Sequence, residues 1–293
     1  MFHMGNLGLK VRTGASKGRV PVDDAPSRSK RKDGFMNLEE TKQTFDRDGF
    51  AVIKRPVDDD GLRHLVDNME RYKQEVVPTF PEGHVGAMYL EAGKRDTLMR
   101  MNQMHENDEF FSQYAQSEPW IGLAEALLGE HVTLANVVYF NKPPRGQAPS
   151  HSSPPHQDNF YYHLDPPQMM SFWIPLEPVD AENGCLRYVA GSHRRGLRKH
   201  TGSSVYGFSQ GIADYGPDDW AREVRLFVDP GDAIVHHCMA IHRADPNDSP
   251  TRSRCAMVMI YMGDSAKEDK AWAARHLKQI REQQAALGRK ATV

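Results

Sequence analysis

The tripeptide His156-Gln157-Asp158 is the part of this chain best suited to chemistry. On an extended strand, side chains two apart point to the same face. An imidazole and a carboxylate at these positions therefore converge on one point without a special loop. A second imidazole from a distant strand would complete two histidines and one carboxylate, a set that holds a redox metal on one side and leaves the other open. His236, His237 and His242 are the candidates for that donor, and spacing alone does not choose among them. Taken alone, His-x-Asp is more often a hydrogen-bonded surface pair. Pro154-Pro155, just before it, stiffens the approach.

Arg254 is the second feature, at the start of the apolar run Ala256 to Met262. A guanidinium among apolar neighbours is costly to bury unless an anion meets it. Its fork matches a carboxylate with two parallel hydrogen bonds. The plain alternatives are a structural ion pair or a strand-end arginine in water. Arg252, two residues away on the same face, competes for the role.

The elements that must position these groups fall into two halves. Asn37-Leu-Glu-Glu reads as a capped helix entry, with the helix ending near Asp48-Gly49 and a short strand following at Phe50 to Lys54. Asp58 starts a second helix, with Leu62, Leu65, Val66 and Met69 at helical spacing. Residues 77–96 read as irregular. Residues 108–129 read as helix, broken at Pro119. From 131 onward the pattern is strand-like: 131–140, 170–176, 184–189, 224–228, 233–238 and 254–262. Short strands after helices predict an α+β fold with a sandwich or barrel. Residues 266–287 read as a C-terminal helix with a partial stripe of Trp272, Leu277, Ile280 and Leu287, packed on the barrel or used in a dimer.

Composition bounds the rest. The net charge of −2 gives no field that would steer the chain to nucleic acid or membrane, and no apolar run approaches the roughly 20 residues of a membrane span. Three cysteines, Cys185, Cys238 and Cys255, fit free thiols in a reducing compartment, so the chain is expected to be cytoplasmic. Residues 1–34 carry eight basic residues against Asp23, Asp24 and Asp33, with few large apolar ones, and read as a disordered basic tail.

His156, Asp158, His242 and Arg254, taken together with Phe172-Trp-Ile-Pro-Leu-Glu, Ala181-Glu-Asn-Gly-Cys-Leu, Gly191-Ser-His, Pro230-Gly-Asp and Ile241-His-Arg-Ala-Asp-Pro-Asn, form a combined pattern. From about Phe45 to Met262 the chain resembles the phytanoyl-CoA dioxygenase family of Fe(II)- and 2-oxoglutarate-dependent oxygenases. That resemblance implies a double-stranded β-helix (jelly-roll, cupin-like) core over 35–265, with N-terminal helices packed on one sheet and a C-terminal helix over 266–293. It implies that His156, Asp158 and His242 bind iron and that Arg254 grips the far carboxylate of 2-oxoglutarate. Trp173 would line the co-substrate pocket, and Asn136 would contact the near carboxylate. The implied reaction uses O2 to hydroxylate a small molecule, with release of succinate and CO2. Asp158 counts against the halogenating variant, which lacks the carboxylate. A cupin-like hydrolase or isomerase, or a non-catalytic binding module, is the alternative.

Other features have plainer readings. Tyr161 and Tyr162 either line the substrate pocket or pack an edge. Gly191-Ser-His193 reads as a turn. His236 and His237 alternate faces, so at most one points inward, where packing is the default and support of a metal ligand the alternative. Arg187, Arg194, Arg195, Arg198 and Lys199 read as a solvated basic run. The protein is expected to be a monomer or homodimer acting on a small molecule.

Overall fold

The computed structural model describes residues 37–81, 87–89, 98–146, 152–203, 205 and 210–286. The expected basic tail lies outside them.

Asn37 opens helix α1 (Leu38–Asp48), its side chain accepting from the Glu39 amide. Gly49 closes it at φ +84°, and a Cβ there would sit 2.5 Å from the His193 ring. Strand β1 (Phe50–Ile53) follows, then α2 (Asp59–Arg71), capped by Asp58. Short strands β2 (Ala87–Tyr89) and β3 (Leu98–Met101) come next. The first corrects the expectation of an irregular 77–96. Helix α3 (Met104–Asn107) precedes α4 (Glu109–Ala115) and α5 (Trp120–Leu128), which are separated at Pro119 as expected.

Strand β4 (Val132–Lys142) begins the second half. It is followed by the short helix α6 (Asn159–Tyr162), β5 (Met169–Pro175), β6 (Leu186–Val189), β7 (His200–Gly202), β8 (Gln210–Ile212), α7 (Pro217–Trp220), β9 (Glu223–Leu226), β10 (Ala233–His237), β11 (His242–Ala244), β12 (Arg254–Gly263) and α8 (Lys270–Ala286). Seven strands form an antiparallel sheet in the order β1-β10-β5-β12-β4-β3-β2. Three more, β11-β6-β9, form a smaller antiparallel sheet, and β7-β8 a hairpin-like pair.

Alternation along the large sheet sorts its side chains into two cores. Val137, Tyr139, Phe172, Ile174, Val235, Met257, Met259 and Tyr261 face the helical layer, where Trp120 of α5 packs on Phe172 and Tyr261 donates to the Ala115 carbonyl. Each such side chain contributes about 1.5–3 kcal/mol by leaving water. The other face carries Phe50, Val138, Trp173, Ile234, Ala256, Val258 and Ile260, packed with Leu186 and Tyr188 of the small sheet. Helices therefore seal one side of the large sheet, and the space between the two sheets is left for the site. The expected α+β arrangement of helices and antiparallel sheets is what the chain adopts.

Among the described side chains of the C-terminal helix, His276 is buried, while Trp272 and Leu277 of the expected partial stripe are half-buried. One local expectation fails in part: the basic run is not simply solvated. Arg187 is paired with Asp245 and Glu223, and Arg198 with Asp219 and Asp214. All three cysteines are free thiols. Among the described residues, no helix is long and apolar enough to cross a membrane.

The contact of α8 generates a pH dependence. His276 Nδ1 lies 2.8 Å from His163 Nε2, in a pocket walled by Phe160 and Trp272, with Asp269 the acid nearest His163. One proton serves that hydrogen bond, and burial lowers both rings, His276 to about 4. Burial likewise lowers His200 and His237 to about 4. The unfolded chain takes up these protons near pH 6.5 and the folded chain does so only lower, so stability is greatest above 6.5 and falls as pH drops towards 4. Thermal melting followed by circular dichroism from pH 7.5 to 4 should show that fall. His276→Gln should flatten part of it, and an unchanged slope would contradict the assignment.

Candidate metal centre

Residues 153–156 run antiparallel beside β11. Ser153 N donates to the Ala244 carbonyl at 3.0 Å, and its hydroxyl accepts from the Ala244 amide at 2.7 Å. His156 and His242 exchange both backbone hydrogen bonds, each 3.0 Å. Residues paired in this way hold their side chains on the same side of the ladder, and the two imidazole centroids are 4.2 Å apart. Two donors distant in the sequence thus become cross-strand neighbours.

Their tautomers follow from the backbone. His156 Nδ1 lies 2.8 Å from the Pro154 carbonyl and His242 Nδ1 3.0 Å from the Ala240 carbonyl. A carbonyl only accepts, so each Nδ1 carries the proton and each Nε2 presents a lone pair. Both Nε2 atoms face Asp158 Oδ1, at 3.6 and 3.7 Å. The three donor atoms all lie within 4.8 Å of one another. That spacing suits metal bonds of about 2.0–2.2 Å from nitrogen and oxygen.

The residue between His156 and Asp158 fixes the pair. Gln157 is fully buried. Its amide nitrogen donates to the Gly196 and Met239 carbonyls, its oxygen accepts from Arg198 N, and its own N–H donates to His200 Nε2. Ser192 Oγ accepts from the Ile241 amide, one residue before His242, so the Gly191-Ser-His turn is a support, as expected. Of the adjacent histidines, His237 packs outward near Phe45 and His193. His236 points inward, with Nε2 3.1 Å from Asp158 Oδ2 and Nδ1 3.1 Å from the Tyr188 hydroxyl.

Electrostatics keep the donors ready. Burial alone would raise the Asp158 carboxyl, but His242, His236 and His156 around it hold it well below the usual carboxylate range. Burial lowers His156, and lowers His242 to about 3, with the neighbouring ring adding to the effect. At neutral pH the cluster is one carboxylate facing two neutral imidazoles.

Arg254 opens β12 opposite Lys142, at an inward position of the large sheet. It is buried, its guanidinium carbon 5.4 Å from the Trp173 ring centre. No hydrogen bond or ion pair from the described residues reaches its Nε. Burial lowers its pKa to about 10, so it stays charged at neutral pH. Arg252 is instead held by Asp180 and Glu182. Two asparagines seat the start of this strand: Asn183 donates to the Ser253 carbonyl, and Asn247 to the carbonyls of Lys142, Pro143 and Arg252. The Asn-Gly and Pro-Asn pieces of the motif are thus scaffolding.

Of the other expected residues, Trp173 lines the inter-sheet face. Asn136 accepts from the Gln103 amide and meets the Tyr162 hydroxyl. Tyr161 stands edge-on to His156 and donates to the Gln210 carbonyl. The loop expected near the substrate, between Lys142 and His156, lies partly outside the described residues. Sequence reasoning missed Arg100, a half-buried cation on β3 stacked 4.8 Å over Phe140, near Tyr161, Tyr162 and Asp158, with Nε unpaired among the described residues. Its only signal was the alternation in Leu98-Met-Arg-Met, which is too short to stand out. Tyr188 and Gln157 carried no signal of their own.

Several known proteins are similar to this chain. Rat peroxisomal phytanoyl-CoA dioxygenase is 27% identical over 221 residues, 72% of this chain and 64% of the relative. The chain thus spans just under two thirds of the length of the mammalian relatives it matches. The 1-deoxypentalenic acid 11-beta-hydroxylase of Streptomyces arenae is 23% identical over 223 residues, 73% of this chain and 77% of that one. Among solved structures, the 2-oxoglutarate complex of EvdO2 from Micromonospora carbonacea var. aurantiaca shares the fold, with a TM-score of 0.60, 22% identity, and coverage of 79% of this chain and 92% of that one. The carbocyclase SnoK from nogalamycin biosynthesis does so with a TM-score of 0.64, 22% identity, and coverage of 80% and 89%. The phytanoyl-CoA dioxygenase (PhyH) family model matches residues 45–256, and the chain belongs to that family.

Proposed function

We propose that this protein is an Fe(II)- and 2-oxoglutarate-dependent dioxygenase that hydroxylates a small molecule, its two facing sheets being a jelly-roll core. The observation that carries the reading is the convergence of His156 Nε2, His242 Nε2 and Asp158 Oδ1, with the buried Arg254, its Nε without a partner among the described residues, at an inward position of the facing sheet. A bound ferrous ion would supply the oxygen-activating redox chemistry, with 2-oxoglutarate leaving as succinate and CO2.

The chain's own residues place and hold the reactants. His156, His242 and Asp158 would occupy one face of the ion and leave the opposite face open. Arg254 meets the far carboxylate of the co-substrate with its planar fork, beside Trp173. Arg100 and Asn136 provide a charge and an amide for the near carboxylate. Tyr161 and Tyr162, three and four residues after Asp158, border the space where the primary substrate enters. The intact carboxylate and the two prepared lone pairs give no support to a binding-only module.

Two measurements test the reading. Anaerobic Fe(II) plus 2-oxoglutarate should give a visible charge-transfer band that His156→Ala and Asp158→Ala abolish. Absence of the band from iron-loaded wild-type protein would remove the main support. Arg254→Ala should weaken 2-oxoglutarate binding by about 2–5 kcal/mol, thirtyfold or more, because a buried charge pair loses one partner. Arg252→Ala should leave that affinity within about twofold, since its salt bridges are exposed ones of small worth. The reverse result would transfer the co-substrate role to Arg252.

A further inference from the structure

His236 and Tyr188 form a hydrogen-bonded couple behind the carboxylate that nothing in the metal-ligand motif requires. His236 comes from β10 of the large sheet and Tyr188 from β6 of the small one, so their contact spans the space between the sheets. Both are buried, and Tyr188 is further held by stacking on Phe50 at 4.7 Å and on His242 at 5.4 Å.

The chemistry of each partner fixes the direction of every hydrogen bond. An ionised Asp158 only accepts, so His236 Nε2 carries the proton and donates to Oδ2. In the tautomer that carries its hydrogen on Nε2, Nδ1 accepts, and the Tyr188 hydroxyl donates to it. A chain of donors therefore ends on one oxygen of the carboxylate. The other oxygen, Oδ1, is the one that faces His156 Nε2 and His242 Nε2.

We infer that the Tyr188–His236 couple is a positioning device that withholds Asp158 Oδ2 from the metal, so that Asp158 binds through Oδ1 alone and leaves a further coordination position for ligands. The inference rests on the metal-centre reading above and deepens it. A carboxylate free at both oxygens can take two positions on an ion. One whose second oxygen is held by a buried donor takes one. His236 is a positioning residue, not a ligand: its Nε2 proton is committed to Asp158, so it has no lone pair on the side facing the cluster.

The test titrates Co(II) anaerobically into full-length wild type, His236→Phe, His236→Gln, Tyr188→Phe and the double variant His236→Phe/Tyr188→Phe. Affinity and the visible d–d absorption are read, and thermal melting checks folding. His236→Phe should lose about 10–100-fold in affinity, the usual cost of removing a partner behind a ligand. Its d–d bands should weaken, because the released Oδ2 raises the coordination number. His236→Gln, which keeps an N–H donor, should recover most of both. Tyr188→Phe should lose about two- to tenfold, the worth of one hydrogen bond. The double variant should match His236→Phe, because the tyrosine acts only through the imidazole.

The inference is overturned by His236→Phe with wild-type affinity and spectrum, or by Tyr188→Phe costing as much when His236 is absent. It is equally overturned if His236→Gln loses as much as His236→Phe with the spectrum of a lost nitrogen donor, which would make His236 a ligand. If His236→Phe does not fold, the Gln and Tyr188 variants decide by the same readings. A wild type that binds no Co(II) sinks the metal centre itself, whereas normal wild-type binding with indifferent variants sinks only this inference.

Discussion

The site depends on one reciprocal pair of backbone hydrogen bonds, between His156 and His242. Antiparallel pairing is the constraint that turns two imidazoles 86 positions apart in the chain into neighbours with centroids 4.2 Å apart. Everything around that bridge protects its register. Ser153 extends the ladder to Ala244, Ser192 holds the amide before His242, and Gln157, the residue between His156 and Asp158, is tied to two separate segments, at 196–198 and at Met239. A slip of one residue would turn one ring to the face opposite the other. The density of side-chain anchors on so few residues is the physical answer to that hazard.

The large sheet does a different job. Its alternation gives one face to the helices and the other to the small sheet, and the inward positions of β12, β5 and β10 deliver Arg254, Trp173 and His236 to one space. The cation and the carboxylate cluster therefore come from opposite walls. Neither wall alone makes a site.

Much of this was legible in the sequence because period and motif agreed. The strand-like second half, the helix caps at Asn37 and Asp58, the break at Pro119, and the His-x-Asp pair all have local causes that short windows reveal. The choice of His242 over His236 and His237 did not come from spacing. It needed the family resemblance, and the geometry then shows all three doing different work. Arg100 stayed hidden because β3 is four residues long and its neighbours β2 and β4 are far apart in the chain. His276 was not singled out, for a related reason. A half-polar helix stripe gives no hint that an imidazole will be paired with His163 and buried between aromatic rings. Long-range partners decide such positions, and no local window contains them.

The burial of Arg254 without an acid partner among the described residues has a consequence for the protein as a whole. Folding this chain means drying a guanidinium that no acid of the described residues meets in an ion pair. Any dicarboxylic acid that reaches it stabilises the native state by mass action, by about 2.7 kcal/mol at a hundredfold excess over Kd. The durability of the folded protein in a cell would then track the local supply of small diacids.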